Sequence, residues 1–475
     1  MSKGILCSLA AALVVCGALL FSSCSGSHSM SSSAPASVNV TVSDPATCSG
    51  PQGPFSHIYV TITDVQINAS SSAGDNDPGW IDLTPSLKQN PQQVDLLGQA
   101  NNQCFLASLG SAMEIQPGSY QQIRIFLADG SVSLSGNQCG SMANCIMLSS
   151  APGHPHPLLL SSESKTGLKI PSGQIAGGQF VVAIGETKDL DIDFNACRSI
   201  VAQGNGGFRL KPVLHAGEVS LTSSSINGSI IDSVTGTSIV GGNTVVALEK
   251  KDSVGVDRVI METVTDASGA FVFCPVAAGT YDVVAVAISG AQVAYGSTVI
   301  TGVQPGNALG TVPLVAPMGV KSPASIAGQI TSSTGSAGTA ADISLSALQP
   351  ISVGGSTVLV TIPLASQSAA TASLTTAPAA NCPAKSDCAS YTLSIPAANP
   401  SIGTFSTSGN QPPAAPASGS VDYTVDAIAF VPDGTGALDC NPSELQTSST
   451  ANNTSLVVTA GTTVTAATLA FSSCQ

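Results

Sequence analysis

Ile58, Val60 and Ile62 alternate with Tyr59, Thr61 and Thr63, so that one side of this segment is aliphatic and the other polar. A side-chain period of two identifies a strand with one face turned inward. Ile123, Ile125 and Leu127 repeat the pattern after the turn Pro117-Gly118-Ser119-Tyr120. Leu190, Ile192 and Phe194 repeat it again, with Asp191 and Asp193 on the opposite face. Elsewhere Val, Ile, Ala and Leu are interleaved with Ser, Thr and Gly, the vocabulary of half-buried strands and tight turns rather than of helices. Pro-Gly, Asp-Gly and Asn-Gly pairs mark the connections. The expected fold is all-β, built of serial antiparallel β-sandwiches. A short helix is expected near Asp95 to Leu109.

The N-terminus reads differently. Lys3 precedes an apolar run from Ile5 to Phe21, closed by Ser22-Ser23-Cys24. A positive start, an apolar stretch and small residues before a cleavage point make a secretory signal. The run is short for a membrane-spanning helix. Phe21-Ser22-Ser23-Cys24 resembles a bacterial lipobox, with Phe21 where that motif usually has Leu. The resemblance implies a lipoprotein signal peptide over 1–23 and lipidation of Cys24. Ser25 follows, with no Asp to suggest inner-membrane retention, so the implied location is the cell envelope, anchored by lipid at the outer membrane. Residues 24–36 form a Ser-rich tether that would lift the folded part from the lipid surface.

Charge narrows the function classes. Only 9% of the 475 residues are charged, acidic groups outnumber basic ones 28 to 14, and the net charge is −14. Nucleic-acid binding rests on Lys and Arg contacts to phosphate, and docking on anionic lipid needs basic clusters. Neither fits. The thirteen cysteines fall to ten when Cys7, Cys16 and Cys24 are assigned to signal and lipid, an even number that in an exported chain suggests disulfides. Cys139 with Cys145, and Cys382 with Cys388, each enclose a short loop and are the favoured pairs. Cys440 with Cys474 and Cys48 with Cys104 follow by elimination, while Cys197 and Cys274 read as buried thiols. No C-x-x-C occurs, which removes zinc and thioredoxin-type readings.

Three folded regions follow the tether. Residues 37–221 contain VNVTVSDP (38–45), IYVTITDVQI (58–67), PGSYQQIRIFL (117–127), TGLKIPSG (166–173), LDIDFNACRSIV (190–201) and GFRLKPVL (207–214). In that order these stretches resemble the bacterial family known as domain of unknown function 4382, which implies a fold and no catalytic residues. Residues 225–316 carry Asp266-Ala267-Ser268-Gly269-Ala270-Phe271-Val272-Phe273 and Gly279-Thr280-Tyr281-Asp282-Val283. This string is similar to the carboxypeptidase regulatory-like domain, a transthyretin-like, carbohydrate-binding-like sandwich. The resemblance implies a binding or spacer module without a peptidase centre.

Residues 324–475 repeat the second region. Ser325-Ile326-Ala327-Gly328-Gln329-Ile330 stands one hundred residues after Ser225-Ile226-Asn227-Gly228-Ser229-Ile230. Ile343 to Leu348 echoes Val245 to Leu248, Gly403-Thr404-Phe405 echoes the Phe strand, and Val421 to Val425 echoes the Tyr strand. Repetition at domain spacing implies a second, divergent transthyretin-like sandwich, with long loops at 350–402 and 411–418.

No constellation of catalytic groups emerges. Ser162-Glu163-Ser164-Lys165 and Lys165-Thr166-Gly167 match the S-x-x-K and K-T-G motifs of penicillin-recognising serine enzymes, but one lysine would have to serve both. His154-Pro155-His156 reads as an extended, solvated loop rather than a metal site. Asp75-Asn76-Asp77 faintly resembles a calcium loop but lacks the downstream Glu. Asp189, Asp191 and Asp193 share one strand face, which is expected to be solvated. Trp80, beside Ile81 and Leu83, reads as a core residue. With 4% aromatic residues, glycan binding would depend on loops and hydrogen bonds. No metal, cofactor or catalytic residue is expected. The sequence points to a non-catalytic envelope protein that binds carbohydrate or surfaces. The alternative is a structural or adhesive protein whose sandwiches act as spacers and contact other proteins.

Overall fold

The computed structural model describes residues 35–43, 49–50, 53–97, 107–160, 163–171, 174–175, 179–194, 199–202, 207–210, 214–219, 224–276, 278–367, 370–407, 420–431, 440–447 and 456–474. It is all-β apart from single helical turns such as Pro85–Lys88 and Glu163–Thr166. The helix expected near Asp95 to Leu109 falls largely on residues outside that set. Its flanks, Gln92–Asp95 and Ala107–Ser108, are strands.

Two sheets face each other across the core of the first region. One joins Ala36–Ser43 in parallel to Thr187–Phe194, which pairs in turn with Leu214–Val219. The other is organised around Gly53–Asn68, which hydrogen-bonds to Gln122–Leu127, Cys145–Leu148 and Gln92–Asp95. Val38, Val40, Ile58, Val60, Ile123, Ile125, Leu190, Ile192 and Phe194 are packed into one buried cluster between them. The long strand has a register shift between Ile62 and Asp64. Before it the even positions Ile58, Val60 and Ile62 are buried, and after it the odd positions Val65 and Ile67. An extra residue in one strand reverses the faces of everything beyond it.

The second and third regions are joined edge to edge. Thr298–Val303, Tyr281–Ile288, Asn243–Lys251 and Val256–Val264 form half of an eleven-stranded sheet, which Ser356–Ile362, Asp342–Val353, Ser420–Phe430 and Glu444–Thr447 continue. At the middle of the sheet the two halves meet in the parallel pairing of Val256 with Leu359 and Asp257 with Val360. Each half is covered by its own small sheet. Ser224–Asp232 lies between antiparallel Ala270–Val276 and parallel Ala308–Leu314. Ala324–Ser332 lies in the same way between antiparallel Asp387–Ile395 and parallel Thr463–Thr465 and Leu469–Phe471. The hundred-residue echo is thus a repeat of topology.

Two details of that echo are corrected. Ser401–Thr404 does not take the place of the Phe strand; it pairs in parallel with Thr298–Val303 at the far edge of the shared sheet. The stretch 350–402, expected as a long loop, is largely strand: Ser356–Ile362, Thr371–Thr375 and Asp387–Ile395. Its Ser, Thr and Ala residues supply the half-buried alternation that strands need. The loop 411–418 lies outside the described residues.

The Asp266–Gly269 turn shows how the motif of the second region works. Asp266 Oδ1 accepts from Ser268 N, Ser268 Oγ and Ala270 N at 2.8, 2.7 and 2.9 Å. These bonds outweigh the effect of burial and hold its carboxyl below the ordinary range. Gly269 has φ +85° and a Cβ there would collide with the Ile230 carbonyl oxygen, so only glycine fits.

Candidate functional site: an amide-rich groove beside Tyr59

Tyr59 is on the polar face of Gly53–Asn68 and is flanked on both sides. Asp95 lies opposite it on Gln92–Asp95, and Cys145 opposite it on Cys145–Leu148. Asp95 is fixed by accepting from Ile58 N at 3.2 Å and Leu97 N at 3.3 Å. Its other oxygen bonds His57 Nδ1 at 2.7 Å. His57 stacks on Tyr59 with centroids 5.5 Å apart and planes 14° from parallel. Burial, with Asp95 adding to it, raises the Tyr59 phenol above its ordinary value, so the ring presents a neutral hydroxyl. The two rings form a small aromatic platform held from below by a carboxylate.

A groove of about 650 Å³ runs past this platform, lined by Tyr59, Gln89, Asn90, Gln92, Gln93 and Gln138 together with Ser133, Ser135 and backbone around them. The volume lies within the ~300–1,000 Å³ of small-ligand sites. One wall is the turn after Pro85–Lys88, where Gln89 N and Asn90 N donate to Ser86 O at 3.3 and 3.0 Å. The other wall is tied to the sheet through Asn137. Its Oδ1 accepts from Gln93 Nε2 at 2.8 Å and Cys139 N at 2.9 Å, and its Nδ2 donates to Met142 O at 3.0 Å. Gln138 N donates to Gln93 Oε1 at 2.8 Å, which completes the link. The Cys139–Cys145 disulfide closes the same loop next to Tyr59. Primary amides carry donors and acceptors together, and with hydroxyls and an aromatic face they suit a polyhydroxylated, uncharged ligand.

A second cleft, of about 510 Å³, opens where the three regions meet and is lined by residues that include Gln121, Gln179, Lys251, Arg258 and Glu444. Its charges are committed to structure. Arg258 donates to Asp252 Oδ2 at 3.1 Å, Asp426 Oδ2 at 2.5 Å and Glu444 Oε1 at 2.5 Å. Burial opposes that charge, yet Asp426 and Glu444 keep the guanidinium above its ordinary value. Lys251 bridges Asp257 and Asp282 at 3.0 and 3.2 Å.

The other residues singled out in the sequence fall as follows. Cys382–Cys388 and Cys440–Cys474 are disulfides. Cys24, Cys48, Cys104 and Cys197 lie outside the described residues, as does Ser162 of the S-x-x-K match, whose Lys165 is exposed. Cys274 is on Ala270–Val276. Pro155–Leu159 is a strand rather than a loop, and His156 packs edge-on against Phe208 at 5.9 Å. Asp77 Oδ2 accepts from Gly74 N at 2.9 Å, while Asp75 pairs with Lys169. Trp80 is only partly buried; its Nε1 donates to Gly74 O at 2.7 Å and Arg124 lies 3.9 Å over its ring. No group of three or more metal-ligating side chains occurs among the described residues.

The expected solvated face of Asp189, Asp191 and Asp193 needs correction. Asp191 and Asp193 are 6% and 4% exposed. Asp191 accepts from Thr41 Oγ1 at 3.0 Å and Ser43 Oγ at 2.6 Å, and Asp189 from Asn39 Nδ2 at 2.7 Å. Burial raises the Asp191 carboxyl to about 6 and holds Asp193 well above its ordinary range, with Asp191 and Glu262 adding repulsion. Glu262 belongs to the second region, which therefore lies close to this face.

The groove was not foreseen. Its available signal was the density of amides in Gln89-Asn90-Pro91-Gln92-Gln93 and of small polar residues in 131–138, stretches far apart in sequence that the fold brings together.

Residues 35–212 match the family model described as domain of unknown function (DUF4382). No curated protein matches the sequence. Among solved structures, the Bacillus anthracis TIE protein is 9% identical, with 92% of this chain and 51% of that one covered and a TM-score of 0.17. A DUF3823 family protein from Bacteroides uniformis is 12% identical over 47% of this chain and 98% of its own, with a TM-score of 0.16. Shaft pilin SpaA of Lactobacillus rhamnosus GG is 10% identical over 59% and 98%, with a TM-score of 0.16. Superposition on each of these is poor.

Proposed function

We propose that the chain is a non-catalytic cell-envelope lipoprotein, anchored through Cys24 at the outer membrane, that binds carbohydrate in the groove beside Tyr59. The observation that carries this reading is the groove's lining: amides and hydroxyls around Tyr59, whose ring stacks on a carboxylate-braced His57. Sugar rings offer an apolar face to an aromatic ring and hydroxyls to amides. The second region serves as a carboxypeptidase regulatory-like module and the third as its divergent copy. The partners are polysaccharide and the membrane, reached through the N-terminal lipid, and not nucleic acid.

A glycan-array screen on the full-length chain, followed by calorimetry with any hit, tests the reading. Saturable binding that weakens in Tyr59→Ala supports it. Silence from a folded sample, or binding indifferent to Tyr59, overturns it.

A second reading has its own observation. The eleven-stranded sheet shared by the second and third regions welds two sandwiches into one body, which suits a spacer in an adhesive or structural surface protein. That reading predicts protein partners in cross-linking and indifference to sugars.

A further inference from the structure

Lys169 and Asp75 reach each other from separate parts of the first region. Lys169 is on Leu168–Pro171, opposite Arg124, and Arg124 is opposite Gln66 on the central strand. The three residues are therefore neighbours across one sheet face. Arg124 is locked in place: Nε donates to Gln66 Oε1 at 2.9 Å, Nη2 to the same oxygen at 2.6 Å, and Nη1 to Asp75 O at 3.0 Å. The loop carrying Asp75 is held over this face by the Trp80–Gly74 and Gly74–Asp77 bonds described above. Its backbone is also gripped by Gln122 Nε2, which donates to Ser71 O. Trp80 and Phe126 rings, 3.9 and 5.0 Å from the Arg124 guanidinium, wall the site.

In this setting Lys169 Nζ and Asp75 Oδ1 are in direct contact, with side chains only 8% and 10% exposed. Two opposite charges removed from water carry a desolvation penalty for each ion, and the neutral amide that would replace them carries no charge to desolvate. Reacting groups fixed in contact also avoid the entropic cost of encounter.

We propose that Lys169 and Asp75 are joined by an intramolecular isopeptide bond. A proton passes from the Lys169 ammonium to the Asp75 carboxylate, giving amine and acid. Nζ attacks Cγ, the Cγ–Oδ bond breaks, and the departing hydroxyl leaves as water with a second Nζ proton. An ammonium and a carboxylate thus become one amide and one water, with no oxidant or external reagent. Arg124 Nη1, 3.8 Å from Asp75 Oδ1, supplies positive charge where the tetrahedral intermediate develops an oxyanion. The bond would pin the loop 69–80 to the edge strand Leu168–Pro171 independently of the disulfides.

Peptide mapping of the full-length protein under reducing conditions tests this directly. The expected result is a tryptic species joining the peptides of Asp75 and Lys169, lighter than their sum by one water and uncleaved after Lys169. Lys169→Arg keeps the charge but cannot form the amide, so it should release the two peptides. Separate peptides from the unmodified protein, cleaved normally after Lys169, would mean that the contact is an ion pair only. A linked species that persists in Lys169→Arg would equally overturn the assignment.

Discussion

The ring of Tyr391 lies over Gly328 just as the ring of Phe271 lies over Gly228, and each pair is directly opposite in register. A Cβ at Gly328 would come within 2.5 Å of Tyr391 Cζ, and one at Gly228 within 3.0 Å of Phe271 Cζ. The repeated Ser-Ile-x-Gly-x-Ile string therefore encodes a floor for an aromatic ring. Gly328→Ala should destabilise the third region by about 1–3 kcal/mol through overpacking. Tyr391 Oη is buried without a hydrogen-bond partner among the described residues, so Tyr391→Phe should be neutral or stabilising. Denaturant unfolding of both variants checks the pair, and a destabilising Tyr391→Phe would contradict it.

The groove makes a graded prediction. Tyr59→Ala removes the aromatic face and should weaken glycan binding roughly tenfold, about 1.4 kcal/mol. Asp95→Asn leaves the ring present but loosens His57, and should cost less. Titration calorimetry against one polysaccharide ranks the two, and an equal loss in both would mean that Asp95 acts on the fold rather than on the platform.

The disulfides separate stability from binding. Removing Cys139–Cys145 or Cys382–Cys388 should cost roughly 2–3 kcal/mol each on chain-entropy grounds. Only the first borders the groove, through Gln138 and Tyr59. Cys139→Ala with Cys145→Ala should therefore lose affinity as well as stability, and Cys382→Ala with Cys388→Ala stability alone. Thermal melts and binding measured on the same samples decide the matter.

Buried acids give the pH dependence an uncommon sign. Burial pushes Asp191 up to about 6 and Asp257 up to about 7, and raises Asp193 and Glu249 well above the ordinary range. An acid whose folded pKa exceeds its unfolded one favours the folded state fully below the unfolded value. That contribution fades as pH rises through the folded value. Melting temperature should fall as pH rises from about 4 to about 7. Asp193 faces His215 across its strand pair, Asp191 on its own strand, and Glu262 from the second region. Asp193→Asn should flatten the profile, and a melting temperature that climbs over this range would refute the assignment.

Local order was legible and long-range order was not. Ile58 to Ile62, Ile123 to Leu127 and Leu190 to Phe194 declare their inward faces because alternation is written within one strand. The bulge near Asp64 leaves only a change of parity, from even to odd, as its trace. Asp191 and Asp193 looked solvated because their strand's other face is closed by a region far along the chain, which no local pattern records. Phe271 finds its true counterpart in Tyr391 rather than Phe405 for a similar reason: the echo at Gly403 is short, and pairing with Thr298–Val303 claims that strand for another edge. The groove joins residues near 59, 90 and 135, and only the sheet's register makes them neighbours.

That same register makes Arg258 a side-chain tie between the second and third regions. Its guanidinium leaves the second region's strand Val256–Val264 and reaches Asp426, 1% exposed, and Glu444, 43% exposed, on two strands of the third. The backbone seam beside it is the short pairing at Val256 and Asp257, and a second pairing, Thr298–Val303 with Ser401–Thr404, lies at the far edge of the sheet. Arg258→Ala would leave Asp426 buried with Gln446 Nε2, at 3.0 Å, as its remaining side-chain donor among the described residues. Stranding one partner of a buried pair costs about 3–5 kcal/mol. Arg258→Ala with Asp426→Leu removes both charges and should recover much of that loss. A double-mutant cycle by denaturant unfolding measures the coupling, and additive effects would show that the seam is held by packing instead.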